Sequence, residues 1–511
     1  MKIMRKSLAV AVALALSGGA TAAGTDLSAS PTVRFATFNA SLNRDAVGQL
    51  LSDLSNPGGA DFTTTVGRRI QQARNVAEII QRVRPDVLLI NEFDFDLNGA
   101  PTASGVPMPR GYSSSAAGLF QSNFLSVPQG NAVRGSTSPI EFAHRYTPNT
   151  NTGLHSGFDL NNFTPPASGL PAGTPVSTPG VAGYGDDAFG FGNFPGQFGM
   201  TIYSKYEIVR VRSFQNFLWK DMPNNLLTND PSGGGNNLAS FYSPAEIAAL
   251  RLSSKNHVDV TLKINGVEVH FLTAHPTPPV FDGSEDRNGK RNHDEIRFWK
   301  DYVNGAGYIY DDAGTFGGLA AGARFVIAGD YNADLCDGDS YKVTCLAPNT
   351  PGIGPNAIGQ LLTDPLINVS VTPQSAGGTQ AATDPNNNGG NLGNLAHVQD
   401  PKFDTADFND ANPGNLRVDY VLPSGNLAIL DAGVFWPVDG NQADGNTSGD
   451  LFDLVGQFNK PGLYAGLPSS DHKAVWVDIA APVPEPETYA MMLCGLGIVG
   501  WGLRRRARRA D

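Results

Sequence analysis

Cysteine is nearly absent from this 511-residue chain, which has three: Cys336, Cys345 and Cys494. So few thiols exclude a disulfide-laced scaffold and a metal centre built on thiolates. Cys336 and Cys345 flank an eight-residue segment and read as a local disulfide in an oxidising compartment, since a zinc site needs more ligands than two cysteines. Basic residues are scarce as well. The chain has 36 Lys and Arg against 48 Asp and Glu, a net charge of −12. Eight of the basic and three of the acidic residues lie in 1–23 and 485–511, which leaves 28 against 45, or −17. Such a surface repels polyanions and excludes tight, metal-free binding of nucleic acid by counterion release. A bound divalent cation would invert the field locally, so chemistry on phosphates stays open. Internal repeats and a linker between separate motif sets are also missing, so one domain with long insertions is expected over residues 31–480.

The two ends stand apart from that domain. Lys2, Arg5 and Lys6 precede an apolar stretch at 8–16 and then Ala20-Thr21-Ala22. This three-part layout is that of a secretory signal peptide, residues 1–22, which signal peptidase would remove. The apolar run is too short to cross a bilayer. At the other end, Pro484-Glu485-Pro486 leads into an apolar stretch at 488–503 and then Arg504, Arg505, Arg506, Arg508 and Arg509. Arginines placed there stay cytoplasmic and stop transfer. Residues 483–509 resemble the PEP-CTERM sorting signal of Gram-negative bacteria. The resemblance implies a short transmembrane helix, transient anchoring, and cutting near 484–486 by an exosortase; a permanent tail anchor is the alternative. Either way the main domain lies outside the cytoplasm, extracellular or at the cell surface.

Between the ends, apolar strand-like segments repeatedly stop at polar side chains. Residues 325–328 read as a buried strand, and Gly329 turns the backbone to present Asp330 and Asn332 on one side. Taken alone, Gly-Asp-x-Asn is ordinary turn chemistry. Its company changes the reading. Residues 33–39 alternate and stop at Asn39, residues 86–92 run apolar into Glu92, and residues 269–275 end at His275. Asp419 lies within a strand at 418–422, while Asp471 and His472 immediately precede a strand at 474–479. Packing does not require these side chains. Val66, Ile70, Ala73, Ala77 and Ile80 recur at helical spacing and Pro85 closes that helix; 293–303 reads as a second helix and 357–362 as a short third. Residues 96–198, rich in Gly, Pro, Ser and Asn, and the polar stretch 373–415 read as long insertions.

This ordered set, together with residues 189–204 and 293–299, resembles the endonuclease/exonuclease/phosphatase superfamily, which includes DNase I-like nucleases, abasic-site endonucleases, sphingomyelinases and inositol-polyphosphate 5-phosphatases. The resemblance implies an α/β four-layer sandwich: two mixed β-sheets packed face to face, helices outside, and the site at one end of the sheets. It also distributes roles. Glu92, Asp471 and Asn39 become the ligands of Mg²⁺, Mn²⁺ or Ca²⁺, hard cations that prefer oxygen. His472 becomes the general base, with Asp419 orienting its ring. His275 would donate to the phosphate or protonate the leaving group, Asp330 would move a proton of water or leaving group, and Asn332 would orient the phosphate. Arg417 is expected to brace the site by a charge-assisted hydrogen bond.

One departure bears on substrate. Several family nucleases carry a basic phosphate contact just before the strand that corresponds to residues 200–204, where this chain has Gln197 and no Arg or Lys. Gln197 is therefore the expected neutral substitute. The loop at 151–159 supplies further donors and reads as a substrate lid. The function expected is a secreted, divalent-metal-dependent phosphoesterase acting on phosphodiesters, with a phosphomonoesterase for small organic phosphates or a non-catalytic surface protein as the alternatives.

Overall fold

Eleven strands form two mixed sheets: β1 (Thr32–Leu42), β2 (Val87–Phe93), β3 (His144–Tyr146), β4 (Met200–Ser204), β5 (Glu207–Ser213), β6 (Val258–Ile264), β7 (Val267–Thr273), β8 (Phe325–Asp330), β9 (Asp419–Pro423), β10 (Ile429–Val434) and β11 (Val475–Ala480). The first sheet runs β10-β11-β1-β2-β4-β3 and the second β9-β8-β7-β6-β5. Each has one parallel pair near its centre, β1 with β2 and β7 with β8, flanked by antiparallel neighbours. Structure is described for residues 31–61, 63–94, 115–230, 238–341, 356–383, 397–409, 413–440, 449–455 and 469–483 of this computed structural model. The described residues from Thr32 onward belong to one compact unit. The segments read as signal peptide (1–22) and sorting tail (483–509, apart from Val483), with Cys345 and Cys494, lie outside the described residues. Cys336 is disulfide-bonded.

Strand alternation builds the layers. Val326 and Ala328 of β8 join the core between the sheets, while Phe325 and Ile327 join the cluster beneath the outer helix. Phe35 of β1 meets Phe271 of β7 across the interior, with ring centroids 5.5 Å apart. Outside the first sheet lies α1 (Thr65–Val83), which starts where Thr64 Oγ1 accepts from Gly67 N–H and ends at Arg84 in a left-handed conformation. Ile70, Ala73, Ala77 and Ile80 are buried on it as the spacing requires; Val66, in the same series, faces solvent at 49 % exposure. Outside the second sheet lies α2 (Arg287–Val303), whose Ile296, Phe298, Trp299 and Tyr302 cover it. The second expected helix is thus two turns longer at its start than the sequence suggested.

Residues 115–198 depart most from the reading as an open insertion. Phe120, Phe124, Leu125, Ile140 and Phe142 are buried, and β3 adds an edge strand to the first sheet. Asn151 is fully buried; its amide donates to Gln215 O and Ser253 O, both at 2.8 Å, and accepts from Arg251 at 2.6 Å. The 151–159 segment, bridged at Thr152 to Gly190 and at His155 to Ala188, is tied to the scaffold rather than poised as a lid.

Candidate active site

The two parallel pairs deliver their carboxyl ends to one edge of the sandwich, and the antiparallel β9 and β11 start there. Asn39, Glu92, His275, Asp330, Asn332, Asp419, Asp471 and His472 therefore converge. β1 does not stop at Asn39 as expected but bulges there, and Ser41 takes a left-handed φ of 48°. The bulge aims Asn39 across the interface, where its Nδ2 donates to Asp330 Oδ2 at 2.9 Å and joins the two sheets.

At the centre is a buried chain of charge. His472 Nδ1 lies 2.9 Å from Asp419 Oδ2, and its Nε2 lies 3.6 Å from Asp330 Oδ2. Burial opposes charge on this ring, yet Asp419, Asp330 and Asp471 outweigh it and hold the imidazole well above its usual range. These surroundings favour the protonated ring. Burial likewise pushes Asp330 up, but His472, His275 and the Asn39 amide hold it well below the carboxylate range. Asp419, also buried, is pushed up to about 6 by that burial against the pull of His472. Thr405 Oγ1 donates to Asp419 Oδ2 at 2.9 Å and fixes it. Phe408 closes edge-on against the His472 ring, centroids 5.3 Å apart.

His275 Nε2 is 3.3 Å from Asp330 Oδ2, and burial followed by the nearby Lys255 ammonium pushes the ring down to about 4. A neutral ring facing an ionised carboxylate must carry its proton on Nε2. Its Nδ1, buried and without a hydrogen-bond partner among the described residues, then has no proton to give. In this arrangement His275 holds Asp330 instead of donating to a phosphate, and the ionised Asp330 can accept a proton but does not bring one to a leaving group.

Glu92 stands in a different environment. It has φ 56°, a conformation costly outside glycine, which turns its side chain out of the strand. Its carboxyl is pushed up to about 7, first by burial and then by the charge of Asp471. Among the described residues neither Glu92 nor Asp471 forms an ion pair; the side chain of Asp471 accepts only from Ser41 and Ser470 hydroxyls, at 3.3 and 3.4 Å. Two close carboxylates that form no ion pair among the described residues, with His472 and the Asn39 amide only partly offsetting the charge on Glu92, suit a hard divalent cation. Asp330, Asp419 and His472 also offer ligand atoms within 4.8 Å of one another, but there the imidazolium already supplies the positive charge.

Two expected contacts are corrected. Gln197 is buried with its amide consumed: Oε1 accepts from Asn193 N–H and Nε2 donates to Arg44 O, both at 2.6 Å. It braces a loop and offers nothing to a ligand. Arg417 places its guanidinium 4.6 Å over the Tyr420 ring, so it stacks where a charge-assisted hydrogen bond was expected. Asn332, at φ 50°, donates from Nδ2 to Pro276 O at 3.1 Å and lines the cavity.

That cavity, of about 500 Å³, opens onto Glu92, His275 and Asn332. It also holds Lys255, which sequence reading missed. Lys255 is 6 % exposed, and its ammonium makes one hydrogen bond, 3.4 Å to Pro276 O. Glu295, the nearest influence of opposite charge, spends its oxygens on Ser254 and Thr277 N–H, both at 2.6 Å. A lone lysine ahead of a strand gives no sequence signal; its burial does. Behind the dyad, Asp404 Oδ2 is buried without a hydrogen-bond partner among the described residues, and burial plus Asp334, Asp337, Asp400 and Asp407 push that carboxyl up to about 9.

Two face-to-face mixed sheets, helices outside and a polar site across one shared edge define the DNase I-like class of α/β sandwiches. Residues 36–472 match the Endonuclease/Exonuclease/phosphatase family, and the chain belongs to it. Members of this family are hydrolases of phosphoesters. Residues 482–506 match the PEP-CTERM protein-sorting motif, which marks an exported protein of a Gram-negative bacterium. Among the described residues no helix is long and apolar enough to cross a membrane. No curated protein matches the chain. Among solved structures it is similar to the endonuclease/exonuclease/phosphatase from Beutenbergia cavernae (16 % identity, 89 % of this chain and 73 % of that one, TM-score 0.36). It is also similar to sphingomyelinase C from Streptomyces griseocarneus (13 %, 88 % and 99 %, TM-score 0.35). A third similar structure is the mannosyl-6-phosphatase Bt3783 from Bacteroides thetaiotaomicron (11 %, 88 % and 99 %, TM-score 0.34).

Proposed function

We propose that the chain is a secreted or surface-held, divalent-metal-dependent phosphoesterase that hydrolyses phosphodiester bonds by attack of water. The observation that carries this reading is the Glu92–Asp471 pair, without an ion-pair partner among the described residues and with Glu92 pushed up to about 7, beside an Asp419–His472 dyad in direct contact at 2.9 Å. A Mg²⁺, Mn²⁺ or Ca²⁺ ion held by Glu92, Asp471 and the Asn39 oxygen would supply positive charge to the phosphate and its attacking water. The Lys255 ammonium and the second N–H of the Asn332 amide bind phosphate oxygens from the cavity side. His472 Nε2 takes the proton of the water, and Asp419, on Nδ1, stabilises the imidazolium that results. To serve as base the ring must first shed its resting proton, which requires the charge of Asp471 to be offset. Asp330, held by Asn39 and His275, stands 3.6 Å from His472 Nε2 and fixes the ring from that side.

The test is an assay of purified protein with added metal on plasmid DNA, RNA, bis-p-nitrophenyl phosphate and p-nitrophenyl phosphate. Diesters should be cut faster than the monoester. A second reading, a phosphomonoesterase for small organic phosphates, draws on the net charge of −17 outside the two ends and on a cavity of small-ligand size. Preference for the monoester would replace the first reading with the second, and no turnover of any ester would leave a non-catalytic surface protein.

A further inference from the structure

Away from Glu92 and Lys255 the same cavity changes character. Phe191, Phe198 and Phe281 line it, with Leu160 and Tyr242 among them. Phe191 and Phe281 are 55 % and 87 % exposed, large rings left uncovered at a cavity wall. Phe191 and Phe198 lie with centroids 6.4 Å apart and planes tilted by 37°. Gly185 makes this possible, because a Cβ there would stand 2.9 Å from the Phe191 ring.

The backbone beneath these rings is strained. Of the ten non-glycine residues with positive φ among the described ones, four line this one cavity: Glu92, Phe198, Phe281 and Asn332. Two belong to the site chemistry. The others, Phe198 at 58° and Phe281 at 67°, are bulky residues for which this conformation is an outlier, and neither touches the dyad. Strain at such positions persists where surrounding structure enforces it, and it clusters at ligand clamps. Asp94 supplies part of that enforcement, with Oδ1 accepting from Phe198 N–H at 3.1 Å and Oδ2 from Arg44 N–H at 2.8 Å.

We propose that this aromatic end binds one planar heteroaromatic group, that of an unpaired nucleobase, attached to the phosphoester whose phosphate sits at Lys255 and Glu92. The proposal rests on the phosphoesterase reading and names its substrate class. Aromatic faces accept a base by stacking, whatever its sequence. Asp186 and the Nδ2 of Asn161 border the same space and match the hydrogen-bonding edges of a base, while Arg287 and Asn288 at its border are engaged by Glu285 and Val280 O. An acyl chain would leave those groups unmatched. A duplex is excluded by size, since a cavity of about 500 Å³ takes a small ligand and a paired base keeps its faces inside the stack. The scarcity of basic residues fits the same substrate, because one phosphate needs one buried lysine where a long polyanion needs a basic track.

The experiment compares thymidylyl-thymidine with analogues in which either base is replaced by hydrogen, all with Mg²⁺ or Mn²⁺, against single-stranded and duplex oligonucleotides and phosphatidylcholine vesicles. Loss of one of the two bases should lower kcat/KM about tenfold or more, the scale of a base stacked on an aromatic side chain. Phe281→Ala and Phe191→Ala should shrink the ratio between the intact and base-free dinucleotides. Single strands should be cut and duplex spared. An unchanged ratio in both variants, equal rates on base-free substrate, or faster cleavage of the vesicles would overturn the proposal. Calorimetry with thymidine 5′-monophosphate separates this from failure of the phosphoesterase reading. Binding weakened by Phe281→Ala, in a protein that turns over no ester, would reject catalysis and keep the base site; absence of binding together with absence of turnover would reject both.

Discussion

Two halves of one site treat the same chemical group in opposite ways. Glu92, half-buried, and Asp330, fully buried, are both carboxylates at strand ends, yet Glu92 is pushed up to about 7 while Asp330 is held well below the usual range. The difference lies in their neighbours. Asp330 meets His275 and the Asn39 amide directly and has His472 Nε2 at 3.6 Å; Glu92 feels Asp471 most, and His472 and Asn39 offset it only in part. One half carries its counter-charge in the sequence, and the other leaves it to be supplied from outside. Burial alone therefore says nothing about how a carboxylate will behave; the sign of the nearest charge decides.

The largest effect should come from withholding what the Glu92 half lacks. Excess EDTA should abolish turnover, and Mg²⁺, Mn²⁺ or Ca²⁺ should restore it; full turnover in chelator would erase the distinction between the halves. Next is the compensated half. His472→Ala should lower kcat by roughly 10²–10⁴ with metal affinity retained. Asp419→Asn should cost less, and the double variant little more than His472→Ala, because residues acting as one unit are not additive. Independent, additive losses would mean that the 2.9 Å contact is not a working dyad. Smaller is the effect of Glu92→Gln, which should raise the metal concentration needed for half-maximal activity and be partly rescued by excess metal. Loss that no metal concentration recovers would move Glu92 out of the ligand set.

The smallest effect tests the same electrostatics away from the reaction. Burial and four surrounding aspartates push Asp404 up to about 9, far above the roughly 3.9 of an unfolded chain. Between those values the folded state binds the extra proton, so this group's contribution is full at acid pH and falls as pH rises toward 9. Asp404→Asn should thus raise Tm at pH 8 relative to the parent and leave it nearly unchanged at pH 4. Equal Tm differences at both pH values would show that Asp404 is ionised throughout.

Legibility in the sequence followed the same divide. Polar residues that end apolar strands announce themselves, because nothing in packing calls for Asp330, Asp419 or His472 there, and all three meet as their positions implied. The strands they terminate were readable for the same reason. Lys255 was not legible, since Ser254-Lys255-Asn256 resembles any polar lead into a strand and only the folded chain reveals a buried ammonium with one hydrogen bond. Gln197 failed in the other direction. Its place in the sequence suggested a phosphate contact, but backbone groups of Asn193 and Arg44 take both ends of its amide. Edge strand β3 was hidden in a segment whose Gly and Pro content reads as loop, because its pairing partner, β4, is about 55 residues away in the chain.

The position of β11 has a consequence for timing. This last described strand lies between β10 and β1, and Arg34 of β1 grips it, with Nε and Nη2 each 2.7 Å from Asp478 and the guanidinium over Trp476. A ribosome or an export channel delivers the chain from its amino end. Until residues past 470 emerge, β1 has an open edge and the cluster holds Glu92, His275, Asp330 and Asp419 without Asp471 or His472. Under the proposed function an unfinished chain would lack its base and one of its metal ligands, so activity would begin only once the final strand has closed the first sheet.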